Sequence, residues 1–241
     1  MPKVDDEERI ERERAAMAAT ITAEVAETSH WLGKDSLDEA VMDAMARVPR
    51  HAFVPDQRRA VAYENRPQQI GYGQTISQPY IVAVMTDLAA PGPDRKILEV
   101  GTGCGYQAAV LAETGARVYS IEVVPELARE SAARLARLGY DTIEVRHGDG
   151  AQGWPEQAPF DAIVVTAAAF RRVPPALLEQ LAPGGRLAIP VERSASRFRL
   201  FGAAGEQELL LVTKDEDGNV SERCMLPVAF VPLVEGRARP G

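Results

Sequence analysis

Between residues 96 and 191 two kinds of pattern take turns along the chain. Short runs rich in branched apolar residues read as strands: KILEV (96–100), RVYSIEV (117–123), TIEVRHG (142–148), FDAIVVTA (160–167) and GRLAIPV (185–191). Stretches 105–113, 125–138 and 175–181 have helical character, and the last two open on Pro125 and Pro175, where proline suits a first turn. Few architectures accept that alternation. Strands separated by helices imply a parallel sheet wrapped by helices, with right-handed crossovers. FDAIVVTA is apolar almost throughout, which suits a strand buried on both faces.

The flanking regions have other rhythms. Residues 7–28 are rich in Glu, Arg and Ala, with Ile10, Met17, Ile21 and Val25 on roughly one face of a surface helix. A second helix is expected from Ser36, where Ser36 and Glu39 have capping-box spacing. Its stripe is Leu37, Val41, Met45 and Val48, and Pro49 ends it. The chain then reads as irregular to about residue 76, and Pro79 starts a helix carrying Ile81, Val84, Met85 and Leu88. Beyond 191, FRLFGA (198–203), ELLLVTK (208–214) and the segment from Val220 look like strands without intervening helices, with Asp217-Gly218 as a hairpin turn. The expectation is an α/β, Rossmann-like, doubly wound and mostly parallel sheet with helices on both faces. It carries an N-terminal helical extension (1–34) and a single domain (35–241). That domain divides into an N-terminal cap and loop (35–95), a cofactor-binding core (96–191) and C-terminal antiparallel strands (192–241).

Totals exclude several classes. Of 241 residues 46% are hydrophobic, enough for a packed core and too many for disorder. No apolar run reaches the ~18 residues of a membrane span, and the charged start, MPKVDDEERIERER, lacks the apolar stretch of a secretory signal. A net charge of -8 argues against non-specific nucleic-acid binding, which depends on Lys and Arg. Cys104 and Cys224 suit reduced thiols, so a cytoplasmic protein is expected. His30, His51 and His147 have no metal-ligand spacing, so no metal is expected.

LEVGTGCGY (98–106) ends the first strand and opens a helix, the place where ligands bind in such sheets. Gly101, Gly103 and Gly105 form G-x-G-x-G with Tyr106 next, so the third glycine of the dinucleotide fingerprint is missing. Glu122 ends the second strand 21 residues after Gly101, where a carboxylate can accept both hydroxyls of a ribose. Asp149 and Gly150 follow the third strand in HGDG. Each feature alone has a bland reading: a tight turn, a solvated strand end, a loop. Three at successive strand ends point to a nucleotide-like cofactor. Glu122 would serve a nicotinamide enzyme equally well, and only the glycine pattern separates the two. That pattern, with Glu99 before it, resembles class I S-adenosylmethionine methyltransferases. The resemblance implies Asp149 near the adenine amino group and Glu99 near the methionine end.

A narrower resemblance is carried by VPRHAFVP (48–55), GYGQTISQPY (71–80), ILEVGTGCGYQAAVLA (97–112), RHGDG (146–150), FDAIVVTAA (160–168) and FVPLV (230–234). Together they resemble the protein-L-isoaspartate O-methyltransferases, from about residue 35 onward, and GQTISQP is the discriminating element. The resemblance implies S-adenosyl-L-methionine as cofactor, S-adenosyl-L-homocysteine as product, and isoaspartyl-containing proteins and peptides as substrates for a monomer. It puts Ser77 in the catalytic role. It puts Gln74, Thr75, Glu99, Gly101, Gly103, Glu122, Asp149 and Gly150 on the cofactor, and Ile76, Ser77, Thr166 and Ala167 on the substrate.

The chemistry accounts for a loop without charge. An α-carboxylate is already ionised at neutral pH and needs no base. Its charge is neutralised as it attacks a sulfonium methyl, so an adjacent cation would favour the ground state over the transition state. Ser77 would clamp instead. Its structural reading is as cap of the next helix. Tyr80 and the N-terminal extension receive no role. Cys104 reads as a small residue tolerated in the turn, and Trp31 and Trp154 as packing residues. Transfer to nucleic-acid amino groups is disfavoured by T-A-A-A after the fourth strand. Transfer to a small molecule, or cofactor binding without catalysis, stays open.

Overall fold

The protein is described by a computed structural model covering residues 4–193, 206–234 and 236. The expected strand FRLFGA lies outside the described residues. The central sheet is built from β3 (Lys96–Val100), β4 (Arg117–Glu122), β5 (Ile143–His147), β6 (Phe160–Val165), β8 (Leu181–Glu192), β9 (Gln207–Lys214) and β10 (Val220–Val228). Their order is β5-β4-β3-β6-β8-β9-β10, with the two-residue β7 (Ala169–Phe170) on β8. The first five in that order are parallel, and β9 and β10 add antiparallel strands at one edge. Asp217-Gly218 turns between the last two as expected, with Gly218 at φ +86° and its N–H on the Asp215 carbonyl.

Side chains alternate across the sheet, and each face has its own core. On one face Ile97, Val118, Ala162 and Val164 pack with α1 (Val4–Glu27), α3 (Glu39–Arg47), α4 (Pro79–Ala89), α5 (Tyr106–Glu113) and α6 (Pro125–Arg137). On the other, Leu98, Tyr119, Ile121, Phe160 and Ile163 pack with Leu177 of α7 (Pro175–Gln180). The N-terminal helix contributes Met17, Ile21 and Val25 to the first core, all nearly inaccessible to solvent. α4 is buried along its length except at Ile81.

Several local expectations change. α3 begins at Glu39 and its cap is Asp38, whose carboxylate accepts the Ala40 N–H at 2.8 Å; the Ser36–Glu39 box does not form. The reason lies in α4. Asp87 accepts the Asp38 N–H at 2.8 Å and binds Lys34 at 2.6 Å, so residues 34–38 are held against α4 until the chain turns at Asp38. A short helix, α2 (Ser29–Leu32), precedes this segment. Residues 68–76, read as irregular, form a hairpin of β1 (Gln68–Gly71) and β2 (Gln74–Ile76). Trp31 is 44% exposed and lies against His30, so it is not a packing residue. Trp154 does pack, edge-on to Tyr119 and under the Arg146 guanidinium.

Candidate active site

Parallel register aligns the C-terminal ends of β3, β4 and β6: Val100 pairs with Ile121 on one side and Val165 on the other. Gly101, Glu122 and Thr166 therefore emerge side by side at the point where strand order reverses, the usual ligand crevice of such a sheet. Gly101 and Thr102 both donate to the Ile121 carbonyl, at 2.8 and 3.3 Å, which bends the chain sharply after β3. Gly101 has φ +96°, and a Cβ there would collide with the Thr166 hydroxyl, so only glycine fits. That hydroxyl donates to the Gly101 carbonyl at 2.6 Å and locks the end of β6 to the turn.

Glu122 is 5% exposed. One carboxylate oxygen accepts the Gly103 N–H at 2.7 Å and the other the Val124 N–H at 3.0 Å. Each oxygen keeps a free lone pair, as a ribose diol requires. Asp149 caps a short 3-10 turn over Gly150–Gln152 and accepts from Ala151 at 3.0 Å and Gly236 at 2.9 Å. It too keeps acceptor capacity. Gly150 packs so tightly on Val100 that a Cβ would strike its Cγ1. Gln74, Thr75, Gly101, Gly103, Glu122 and Gly150, with Thr166 and Ala167, line one cleft. This donor and acceptor set suits an adenosine-bearing cofactor.

Glu99 stands apart. It lies beneath the turn, fully buried, and burial pushes its carboxyl up to about 8. Ser120 donates to one of its oxygens, the other has no partner, and Glu122 raises its pKa further. The Ser120 hydroxyl also meets Thr102 Oγ1 at 2.5 Å, so a chain of hydroxyls links Glu99 to the turn.

A second cleft adjoins the first. Ser77, Gln78 and Ile81 form one wall and the 227–231 segment the other, and the two clefts share Thr75, Thr166 and Val231. Ile76 is buried beneath, 3% exposed. Ser77 does not cap α4. The cap position is Gln78, whose side chain makes no capping bond to the helix, and the Ser77 side chain is left to the cleft. Its carbonyl is held by Arg50 at 2.7 Å. Arg50 is 0% exposed, also donates to the Ala62 carbonyl at 2.8 Å, and lies 4.7 Å over the Tyr106 ring. Tyr80 points away from both clefts, its hydroxyl 2.6 Å from that of Thr28. Cys104 is buried and burial raises its thiol pKa, so it is no nucleophile.

The sequence reading missed the C-terminal wall. Ala168 donates to the Val231 carbonyl and accepts from Leu233, both at 2.8 Å, which lays 231–233 across the strand ends. Gln207 clamps Phe230 through N–H and carbonyl, at 2.6 and 3.2 Å. The apolar FVPLV run, too short for a core strand, was the available signal. Among the described residues no group of His, Cys, Asp and Glu could hold a metal ion, and no helix is long and apolar enough to cross a membrane.

This sheet order, glycine turn and pair of clefts define a Rossmann-like methyltransferase. A family model described as Protein-L-isoaspartate(D-aspartate) O-methyltransferase (PCMT) matches residues 32–238, and the chain belongs to that family. It is 58% identical over 223 residues to "Protein-L-isoaspartate O-methyltransferase 2" of Syntrophobacter fumaroxidans, covering 92% of this chain and 86% of that protein. The protein of the same name from Polaromonas sp. is 55% identical over 221 residues, 92% of this chain and 100% of that one. Among solved structures, a Plasmodium falciparum beta-aspartate methyltransferase (PCMT) in complex with S-adenosyl-L-homocysteine superposes with TM-score 0.69 at 25% identity, over 88% of this chain and 98% of that one. Another protein-L-isoaspartate O-methyltransferase gives TM-score 0.73 at 23% identity over 89% of this chain, which spans 65% of that one and shares its fold.

Proposed function

We propose that this chain transfers a methyl group from S-adenosyl-L-methionine to the α-carboxylate of L-isoaspartyl residues in damaged proteins and peptides. The ester then opens the way to repair through a succinimide. The observation that carries this reading is the junction of the two clefts. A carboxylate-bearing cleft suited to a ribose meets a charge-free, hydroxyl-lined one at Thr75 and Thr166. The cofactor would supply an electrophilic sulfonium methyl. Glu122 would hold the ribose, Asp149 the adenine amino group, and Gln74, Thr75, Gly101, Gly103 and Gly150 would shape the cradle. Glu99 would act on the methionine end from beneath the turn, through the hydroxyls of Ser120 and Thr102.

Ser77 would donate to the acceptor carboxylate, with Ile76, Thr166 and Ala167 completing its surroundings. The substrate is ionised on arrival, so these residues need only orient it and exclude water. The same reading makes the protein a cytoplasmic monomer that does not bind nucleic acid.

Labelled methyl transfer to a short L-isoaspartyl peptide, against the same peptide with ordinary aspartate, tests the reaction. Base-labile label on the isoaspartyl peptide alone is the expected result, and equal labelling of both would overturn the reading. Ser77→Ala should lower turnover by about 10-fold or more, the usual scale for one hydrogen bond to a charged group, and leave cofactor affinity within about 2-fold. Unchanged turnover would remove Ser77 from the site.

A further inference from the structure

The N-terminal helix grips a residue of the acceptor cleft wall, and its role there rests on that cleft binding the isoaspartyl peptide. Ser77 and Gln78 stand side by side on the cleft wall. Gln78 is gripped from α1: its Nε2 lies 3.2 and 3.3 Å from the two carboxylate oxygens of Glu24. A carboxylate among these neighbours only accepts, so the amide end that faces it must be the NH2. The carbonyl oxygen of Gln78, an acceptor and never a donor, is then the pole left for the cleft.

Glu24 is itself fixed. It accepts from the Asn65 amide, whose carbonyl accepts the Tyr80 N–H at 3.0 Å in the first turn of α4. Just past the end of α1, Thr28 meets the Tyr80 hydroxyl. α1 therefore holds residues on both sides of Pro79, and its buried Met17, Ile21 and Val25 keep it in register. Glu24 precedes the 32–238 stretch that the family model covers, whereas Asn65, Gln78 and Tyr80 lie within it.

We infer that Gln78 is a substrate-binding residue whose side-chain carbonyl accepts a backbone N–H of the isoaspartyl peptide, and that Glu24 of the N-terminal helix is the residue that positions it. The pairing of groups fits the substrate. The isoaspartyl residue bears its α-carboxylate and its N–H on one Cα. A hydroxyl donor at Ser77 beside a carbonyl acceptor at Gln78 is complementary to that pair.

The test is steady-state methylation of an L-isoaspartyl peptide by the full chain, with the affinity for S-adenosyl-L-homocysteine measured separately. Gln78→Ala and Glu24→Ala should each raise the peptide KM about 3- to 10-fold, the scale of one neutral hydrogen bond, with kcat and cofactor affinity held. The double variant should be no worse than Gln78→Ala alone, because Glu24 acts through Gln78. Should Glu24→Ala fail to fold, Glu24→Gln serves, since its carbonyl still receives the Gln78 NH2 and the KM rise should be smaller. Additive effects, an unchanged KM in Gln78→Ala, or a matching loss of cofactor affinity would each overturn the inference. If the unaltered chain binds cofactor but ignores the isoaspartyl peptide, the functional reading fails instead, a result separate from anything the variants show.

Discussion

Glu99 offers the sharpest test of the site's electrostatics. Its carboxyl rises from 4.5 to about 8 because burial removes water from it, with Glu122 adding repulsion and the Ser120 hydrogen bond opposing both. Consider the cofactor-free protein against pH. Below about 4.5 the folded and unfolded chains are both protonated here. Between 4.5 and about 8 the folded chain keeps the proton that the unfolded chain has released. The protonated side chain's stabilisation is therefore complete below the unfolded value and is lost as pH climbs to the folded one. At about 1.4 kcal/mol per pH unit the loss amounts to roughly 5 kcal/mol. Relaxation and water entry around the ionised form should reduce this to about 2–4 kcal/mol.

Glu99→Gln is the perturbation, since an amide copies a protonated acid and still bonds Ser120. Urea unfolding at pH 5, 6, 7, 8 and 9 without cofactor measures it. The variant should lie within about 1 kcal/mol of the parent at pH 5, the scale of one altered hydrogen bond. It should gain on the parent steadily to pH 8 and hold its advantage at pH 9. Taking the difference between the two proteins cancels every other titrating group. A difference that stays flat from pH 5 to 9 would mean that Glu99 is ionised in the fold, and the reasoning would fail.

Ile21→Ala should destabilise the chain by about 2–4 kcal/mol in urea unfolding, as for a fully buried aliphatic side chain, because α1 belongs to the main core; a change below about 0.5 kcal/mol, the scale of surface substitutions, would make it an appendage. In the native protein a thiol reagent should label Cys224, which is exposed, and spare Cys104, which is buried with its thiol pKa raised; equal labelling by mass spectrometry would contradict that burial.

Much of this was legible in the sequence because its signals were local and redundant. Each parallel strand is an apolar run, and the residues proposed for the ribose and adenine lie at or just past strand ends, so finding the strands found Gly101, Glu122 and Asp149 together. The β1–β2 hairpin was not legible. QQIG and QTI are too short to show a period, and their pairing is set by Gly71, Tyr72 and Gly73, all left-handed. Ser36 misled because the true cap depends on Asp87, 49 residues beyond Asp38. The stripe on α1 was readable. Its purpose was not, since Glu24 lies on the flank of that stripe and its partners Asn65 and Gln78 are more than 40 residues away. The C-terminal wall escaped for a similar reason, being held by Ala168 and Gln207 rather than by any pattern of its own.

The Ser77 loop, GYGQTISQPY, carries no charge, yet the Arg50 guanidinium holds the Ser77 carbonyl. A cation in contact with the acceptor carboxylate would stabilise reactant over transition state, so the position of Arg50 matters more than its sign. Two of its nitrogens face the carbonyls of Ser77 and Ala62, and its plane covers the Tyr106 ring. The charge therefore meets the carbonyl of Ser77, while Arg50 is itself absent from the cleft lining that Ser77 joins. On this account Arg50 acts as a rigid fork that ties the Ser77 loop to Tyr106, the residue just after the glycine turn. Arg50→Lys separates the two roles. Lysine keeps the charge but has no planar fork to span both carbonyls. If the fork matters, turnover should fall about 10-fold or more, as for a lost bond to a charged group, while salt dependence stays unchanged. If charge alone matters, lysine should restore nearly full turnover, and a lysine enzyme as fast as the parent would refute the anchoring role.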